Sequence, residues 1–413
     1  LQVDGAITGS STINGVGIIS NITNFANGIL ISQDGSTGTL NAASNNTGLG
    51  NGVFDDLTTG DGNVGMGYSA LSALTTGSDN VGIGVGALAL NTTAVENTLV
   101  GSSAGDAIST GSYNTGFGSA TLGATTTATF NTAVGRHALT TNSTGSSNVA
   151  VGGQALDANT TADNNTAVGT SSLGANTTGA SNTAVGQGSL AANTTADGNT
   201  GVGYQALTAN TIGDRNTALG WSAMATNVDG DRNVAIGYGA MQTFEPANTA
   251  TYNTAVGYVA GNAMTTAINN TFIGGLANAV GVPGNQNTAV GSQAMYNNAD
   301  VENTGIGYAA LNANTSGGYN TAVGSNVMSA NTTGDSNVAV GQNALDANTT
   351  ASNNVAIGAA ALGANTTGTN NVMVGNSAGD AITTSNNNTG VGHDVLGANT
   401  SGDGNVAMGS TTL

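Results

Sequence analysis

Three aspartates at a fixed spacing are the first candidates for chemistry in this chain of 413 residues. Asp197, Asp214 and Asp231 follow one another at intervals of 17 residues, so a structure that repeats at this period would stack them in one column. Carboxylates in such a column, together with backbone carbonyls, could bind Ca²⁺. The alternative is a polar turn in which each aspartate bonds to nearby backbone. The sequence favours the turn and predicts no required cofactor, with Ca²⁺ at these aspartates left open.

Aromatic residues recur at nearly the same spacing. Tyr204, Trp221, Tyr238 and Tyr258 fall on four consecutive repeats, and Phe244 lies between the last two. Aromatic faces in a row can stack on the rings of a carbohydrate, or on one another to stiffen the structure. We predict a ligand-binding patch formed by these five residues, with a host-surface polysaccharide or receptor as the ligand.

The histidines and the known catalytic motifs give little support for an enzyme. His137 and His393 are 15 repeats apart, which at a strand spacing of ~4.8 Å separates them by roughly 70 Å. The chain contains no lysine for a Walker loop and no G-x-S-x-G motif with a usable histidine. The sequence therefore predicts a protein that is not an enzyme.

The composition narrows the function classes further. Lys+Arg total 3 and Asp+Glu 22, a formal net charge of −19, so binding to nucleic acid through phosphates is not expected. Cys is 0, which excludes disulfides and cysteine metal sites. No apolar run reaches the ~18 residues of a membrane-spanning helix, so this segment is not expected to insert into a membrane.

These residues belong to a tandem repeat. Asparagine anchors recur from Asn46 to Asn405, every 17 residues except for intervals of 20 after Asn233 and 16 after Asn287. The 22 units share the pattern N-T-A-V-G-x-x-A-L-x-A-N-T-T-G-x-x, in which the anchor is position 1. A unit this short suits one coil of a β-solenoid. We predict an all-β, parallel β-solenoid of 22 coils.

Alternation along T-A-V-G assigns the two faces of each strand. Positions 2 and 4 are large or branched and share one face, whereas positions 3 and 5 are mostly Ala or Gly and share the other. We predict that positions 2 and 4 form the core, and that the bare Ala/Gly face lets other chains approach closely in a homotrimer. At ~4.8 Å per coil the homotrimer would be a rod roughly 105 Å long.

Positions 9 and 12 vary together. Position 9 is usually Leu, but in three coils it is Gly and position 12 is then large, which predicts that both positions face one interior of conserved volume. Elsewhere position 12 is mostly Asn, and asparagines repeated on successive coils can form a ladder of side-chain amides. The three exchanged pairs are Gly105 with Ile108, Gly261 with Met264, and Gly379 with Ile382.

Two units carry a resemblance to a known family. Residues 165–181 (NTAVGTSSLGANTTGAS) and 354–370 (NVAIGAAALGANTTGTN) resemble the head repeats of YadA-like trimeric autotransporter adhesins, and similar repeats occur in bacteriophage tail fibres. The likeness covers 46–413 and departs in coil length, which is longer here. It implies a left-handed parallel β-roll that assembles as a trimer.

The repeat also sets the expected boundaries. Residues 1–45 read as a non-repeat β segment, 46–413 as the solenoid, and 239–286 as an irregular stretch with the long coil and both prolines. The extra residues of the long coil, in 242–252, should form an outward loop. Phe244 falls at position 12 of its coil, so the interior is an alternative place for it.

A structural fibre for surface attachment is the function that these features favour, and we expect a phage tail fibre. A bacterial trimeric adhesin head is the alternative, and in either case the location would be extracellular, on a virion or a cell surface. An ice- or calcium-binding solenoid is the alternative of another class. The paired threonines of N-T-T are adjacent, so in an extended chain they cannot face one way, which argues against ice binding.

Overall fold

The structure, a computed structural model, describes residues 9–13, 16–22, 25–32, 40–246 and 250–412. The chain divides into two compact units, 1–204 and 205–413. The described residues are all-β and contain no helix. They form a parallel β-solenoid of 22 coils with one three-residue strand per coil, which confirms the predicted fold class.

Ten coils lie in the first unit, after four strands that precede the repeat. The strands are β1 (Gly9–Ile13), β2 (Val16–Ile22), β3 (Phe25–Ser32), β4 (Ala43–Ser44), β5 (Thr47–Leu49), β6 (Val64–Met66), β7 (Val81–Ile83), β8 (Thr98–Val100), β9 (Thr115–Phe117), β10 (Thr132–Val134), β11 (Val149–Val151), β12 (Thr166–Val168), β13 (Thr183–Val185) and β14 (Thr200–Val202).

Twelve coils lie in the second unit. Their strands are β15 (Thr217–Leu219), β16 (Val234–Ile236), β17 (Thr254–Val256), β18 (Thr271–Ile273), β19 (Thr288–Val290), β20 (Thr304–Ile306), β21 (Thr321–Val323), β22 (Val338–Val340), β23 (Val355–Ile357), β24 (Val372–Val374), β25 (Thr389–Val391) and β26 (Val406–Met408).

The strands of each unit pair in the order of the chain. In the first unit β1, β2 and β3 form an antiparallel meander, and β3 then pairs in parallel with β5. From there each coil strand pairs in parallel with the next and in exact register, so that Ala167 lies beside Ala184. The second unit stacks in the same way from β15 to β26. Each repeat position therefore forms a column within its unit.

The two faces of the strand are the reverse of the sequence expectation. Position 3 is fully buried, as at Ala133 and Ala167, whereas positions 2 and 4 face outward. Val134 and Val185, both at position 4, are 38% and 36% exposed. The core prediction for positions 2 and 4 was therefore wrong, and so was the bare outer Ala/Gly face. The outward columns carry Thr or Val and a larger apolar residue.

A narrow coil interior explains this reversal. At Gly65, a position 3 glycine, an added Cβ would come within 2.7 Å of Val53 Cγ1 and 3.3 Å of Phe54 Cζ. The residue at position 9 fills the space opposite the strand, so a branched side chain at position 3 has no room. Large residues do occupy position 3 at Leu99 and Met373, where position 9 of the same coil is glycine.

The exchange between positions 9 and 12 is confirmed. Leu173 at position 9 is fully buried, and so are the three residues that replace it at position 12, Ile108, Met264 and Ile382. The interior therefore keeps its volume while the chain changes which position supplies it.

The asparagine ladder at position 12 is also confirmed. In the first unit Asn159 Nδ2 donates to Asn142 Oδ1 at 2.8 Å, Asn176 to Asn159 at 2.9 Å, and Asn193 to Asn176 at 2.7 Å. In the second unit Asn331 and Asn348 continue the pattern. Within these runs each buried amide has a partner in an adjacent coil, which offsets the cost of burying it.

A second ladder runs through the anchor asparagines, and sequence reasoning missed its role. Asn165 Oδ1 accepts the backbone N–H of Asn182 at 2.9 Å, and its Nδ2 donates to Gly179 O at 2.8 Å. The anchor therefore ties its own turn to the next coil. The signal was present in the sequence, because asparagine starts every one of the 22 units.

Candidate ligand-binding surface

The aromatic residues at position 6 point outward, as predicted. In the second unit Trp221 and Tyr238 stack with ring centroids 4.7 Å apart and an interplanar angle of 6°. Tyr238 and Tyr258 continue the stack at 5.5 Å and 19°. The three side chains are 42%, 47% and 58% exposed. We call these three residues the aromatic strip. It presents ring edges and flanks to solvent from a rigid stack of coils.

Tyr204 is the last residue of the first unit. Its side chain is 42% exposed, as expected for position 6. The strip within the second unit therefore consists of three of the predicted residues.

Phe244 does not belong to the exposed patch. Its side chain is fully buried, so its prediction as a ligand-binding residue was wrong. Position 12 of the neighbouring coil holds Asn227, and Phe244 occupies the same interior column. A large apolar side chain gains more from that interior than from an exposed loop. The alternative noted in the sequence, that position 12 points inward, is the one observed.

The long coil contributes a different group to the surface. Residues 247–249, in the middle of the predicted outward loop, lie outside the described residues. Tyr252, just beyond them, is 55% exposed, and the Arg232 guanidinium lies 5.6 Å from the centroid of its ring. A cation over an aromatic face is attractive. This contact was not expected from the sequence, although both residues precede an anchor asparagine and so share one column.

The aspartate column serves the backbone. Asp231 Oδ1 accepts the backbone N–H of Asp214 at 2.7 Å, and Asp197 Oδ1 accepts that of Ala180 at 2.7 Å. Each carboxylate thus closes the turn of the preceding coil, the polar-turn interpretation. No cluster of three or more histidine or acidic side chains able to hold a metal ion occurs within the described ranges.

The paired threonines face different ways, as their adjacency implied. Thr177 is half-buried and its Oγ1 donates to Thr194 O at 3.0 Å, whereas Thr178 is exposed. Only one of the two hydroxyl columns therefore reaches solvent freely.

Four aspartates at position 10 are more weakly acidic than usual. Burial raises the pKa of Asp106, Asp157, Asp346 and Asp380 above 3.8, and backbone hydrogen bonds offset part of that rise. In Asp380 the nearby Asp394 carboxylate raises the pKa further. Each of the four aspartates is followed one coil later by a glycine.

The described part of the chain offers no helix long and apolar enough to cross a bilayer. No protein-family model matches the chain, and no curated protein matches it.

Proposed function

We propose that this protein is a non-enzymatic attachment fibre, a homotrimer of parallel solenoids that carries a carbohydrate-binding strip on its side. The observation that carries the proposal is the exposed stack of Trp221, Tyr238 and Tyr258 on three successive coils. Because the three rings cover one another's faces, a sugar ring would lie against the exposed ring edges that run along these coils. The regular coils beneath the strip hold its side chains in fixed positions, which limits the entropy lost on binding.

The outward columns at positions 2 and 4 support self-association. They present uncharged side chains in coil after coil, Thr or Val at position 2 and an apolar residue at position 4, such as Val185 in the first unit and Ile357 in the second. At ~4.8 Å per coil and ~10 Å per strand, the sheet face offers about 50 Å² per coil, which is about 500 Å² for the first unit and about 600 Å² for the second. Specific interfaces bury about 800 Å² per partner. Other copies of the chain fit this face best because they repeat at the same spacing.

A trimer follows from the resemblance to trimeric adhesin heads and phage fibres. Each chain has a net charge of −19, so a trimer is strongly negative. Repulsion between separate trimers keeps fibres apart, which fits an exposed location. A phage tail fibre is the form we favour, with a bacterial adhesin head as the alternative. Both place the protein outside the cell.

Attachment tests the strip directly. Wild-type protein is applied to an array of bacterial surface polysaccharides, and the retained polysaccharide is then used with Trp221→Ala. The variant removes one of the three exposed rings and leaves Tyr238 stacked on Tyr258 alone. We therefore expect retention of the polysaccharide to fall about tenfold, which corresponds to roughly 1.4 kcal/mol of binding free energy. Tyr308→Ala is the matched control, an exposed position 6 tyrosine with serines at the same position of both neighbouring coils. Failure to retain any polysaccharide, or equal retention of all three proteins, contradicts the proposal.

A further inference from the structure

The chain's few cations are not scattered. Only three residues are Lys or Arg, and two of these, Arg215 and Arg232, stand on adjacent coils at position 17. The third, Arg136, lies in the first unit. The next coil carries Tyr252 in the same column, directly before its anchor Asn253. In a chain of net charge −19, two neighbouring arginines form an exceptional local surface.

These arginines are incompletely used by the fold. Arg232 Nη1 lies 3.9 Å from Asp231 Oδ2, too far for a hydrogen bond, while Asp231 Oδ1 serves the backbone of Asp214. Arg215 is exposed and forms no ion pair within the described ranges. A guanidinium presents five donors in a planar fork that matches a carboxylate. Most of these donors remain available to a ligand.

The arginine column and the aromatic strip flank the same three strands. Arg215 precedes β15 and Trp221 follows it; Arg232 and Tyr238 flank β16 in the same way; and Tyr252 and Tyr258 flank β17. The two columns are six residues apart, at most about 20 Å along an extended chain. Exposed Leu219, at position 4 of the first of these coils, lies between them.

We propose that this surface binds an acidic polysaccharide, with sugar carboxylates on Arg215 and Arg232 and sugar rings on Tyr252 and the aromatic strip. The face at positions 2 and 4 lies between the two columns and is covered in the proposed homotrimer, so the polymer meets charge at one edge of that face and rings at the other. A neutral sugar would use only the rings. Paired contacts of this kind give specificity, because an uncharged analogue leaves the arginines unmatched. This inference rests on the proposed attachment function and names its ligand class.

Polygalacturonate and its methyl ester form a matched pair of probes, because the rings are the same and only the carboxylate charge differs. Binding is measured at 150 mM salt, where charges more than about 8 Å away are screened and the overall charge of the chain matters little. We expect the wild type to bind polygalacturonate at least tenfold more tightly than the ester. The double variant Arg215→Gln/Arg232→Gln should lose that preference, since two charge-assisted contacts are removed.

Arg136→Gln is the control, because it removes the remaining cation, which lies in the first unit, and should keep the preference. Thermal melting of both variants should match the wild type, which separates ligand binding from folding. Equal binding of the two polymers by the wild type, absence of binding, or a preference that survives the double variant would overturn the inference. If the preference is absent while Trp221→Ala still weakens attachment, the acidic ligand class is wrong and the attachment function stands. If neither variant changes binding, both fail.

Discussion

Two coils of the first unit fill their interiors with different residues at positions 3, 9 and 12. The coil from Asn165 to Ser181 holds Ala at position 3, Leu173 at position 9 and Asn176 at position 12, and Asn176 is bonded on both sides within the ladder. The coil from Asn97 to Tyr113 holds Leu, Gly and Ile at those positions. Both keep the same strand and bury the side chains at these positions. The position that supplies the large apolar side chain therefore differs between coils.

The exchange has a cost at the neighbours of the variant coil. Ile108 cannot bond to the coils beside it, and Asn91 Nδ2 and Thr125 Oγ1, at position 12 on either side, are buried without a hydrogen-bond partner. Asn365 Oδ1 is in the same situation beside Ile382. A buried polar atom without a partner costs roughly 1–3 kcal/mol. An apolar coil inside a polar ladder thus weakens its neighbours rather than itself.

The largest effect on stability is expected at position 5, which is glycine in both coils. Gly169 at position 5 has φ of +135°, and an added Cβ would lie 2.6 Å from the carbonyl carbon and oxygen of Gly186 in the next coil. Gly169→Ala should lower the free energy of unfolding by about 3 kcal/mol, from backbone strain and collision. At Gly153 an added Cβ has its nearest neighbour at 3.9 Å, so Gly153→Ala should be nearly neutral. Equal urea midpoints for the two variants would show that the glycine column is dispensable.

The next largest effect is expected when the exchange between positions 9 and 12 is reversed at one position only. Gly105→Leu places a side chain where a Cβ already comes within 2.8 Å of Ile108 Cδ1 and 3.0 Å of Leu99 Cγ. Overpacking should destabilise the protein by about 2 kcal/mol. The triple variant Leu99→Ala/Gly105→Leu/Ile108→Asn rebuilds a regular coil and should recover that loss. Strictly additive effects in urea unfolding would refute the conserved-volume interpretation.

A smaller, stabilising effect is expected at Thr125, in the coil that follows Ile108. Thr125→Val removes a buried hydroxyl that has no partner and keeps the side-chain shape, so unfolding free energy should rise by about 1 kcal/mol. Thr121 in the same coil is also buried, but its Oγ1 donates to Gly118 O at 3.3 Å. Thr121→Val should therefore give no gain, and a gain of the same size in both variants would mean that Thr125 is satisfied after all.

The smallest effect concerns pH. Because burial raises the pKa of Asp106 and Asp157 above 3.8, the folded state binds protons more readily than the unfolded state just above that pH. These groups therefore lower stability fully at neutral pH and less as the pH falls through their raised pKa values. Asp106 lies in the coil with Gly105 and Ile108, and Asp157 lies in a coil with leucine and asparagine at those positions. Asp106→Asn and Asp157→Asn should each raise the melting temperature slightly at pH 7 and lose that advantage near pH 3. A larger advantage at pH 3 would reverse the assigned shift.

The period of the sequence predicted most of the architecture, because each coil must present the same positions to its neighbours. It placed the strand of every coil, the interior role of positions 9 and 12, and the outward direction of position 6. Alternation alone could not say which strand face is inside, since Ala167 and Val168 alternate equally well either way. That choice depends on the width left beside Leu173, a tertiary quantity. Left-handed backbone at Leu173, with φ of +49°, was likewise hidden, because leucine rarely adopts it.

The candidate surface was predicted less completely, for related reasons. The aromatic strip followed from its spacing, and the burial of Phe244 followed from its place in the twelfth column once that column is known to face inward. Arg232 and Tyr252 were overlooked because the 20-residue coil conceals their shared column.

The central claim is that three copies of this chain associate through the outward columns at positions 2 and 4 to form an attachment fibre. Sedimentation equilibrium at micromolar concentration tests it most directly. We expect a single species of three times 39.7 kDa, about 119 kDa. A species of 39.7 kDa, or a dimer that does not proceed to a trimer, would contradict it.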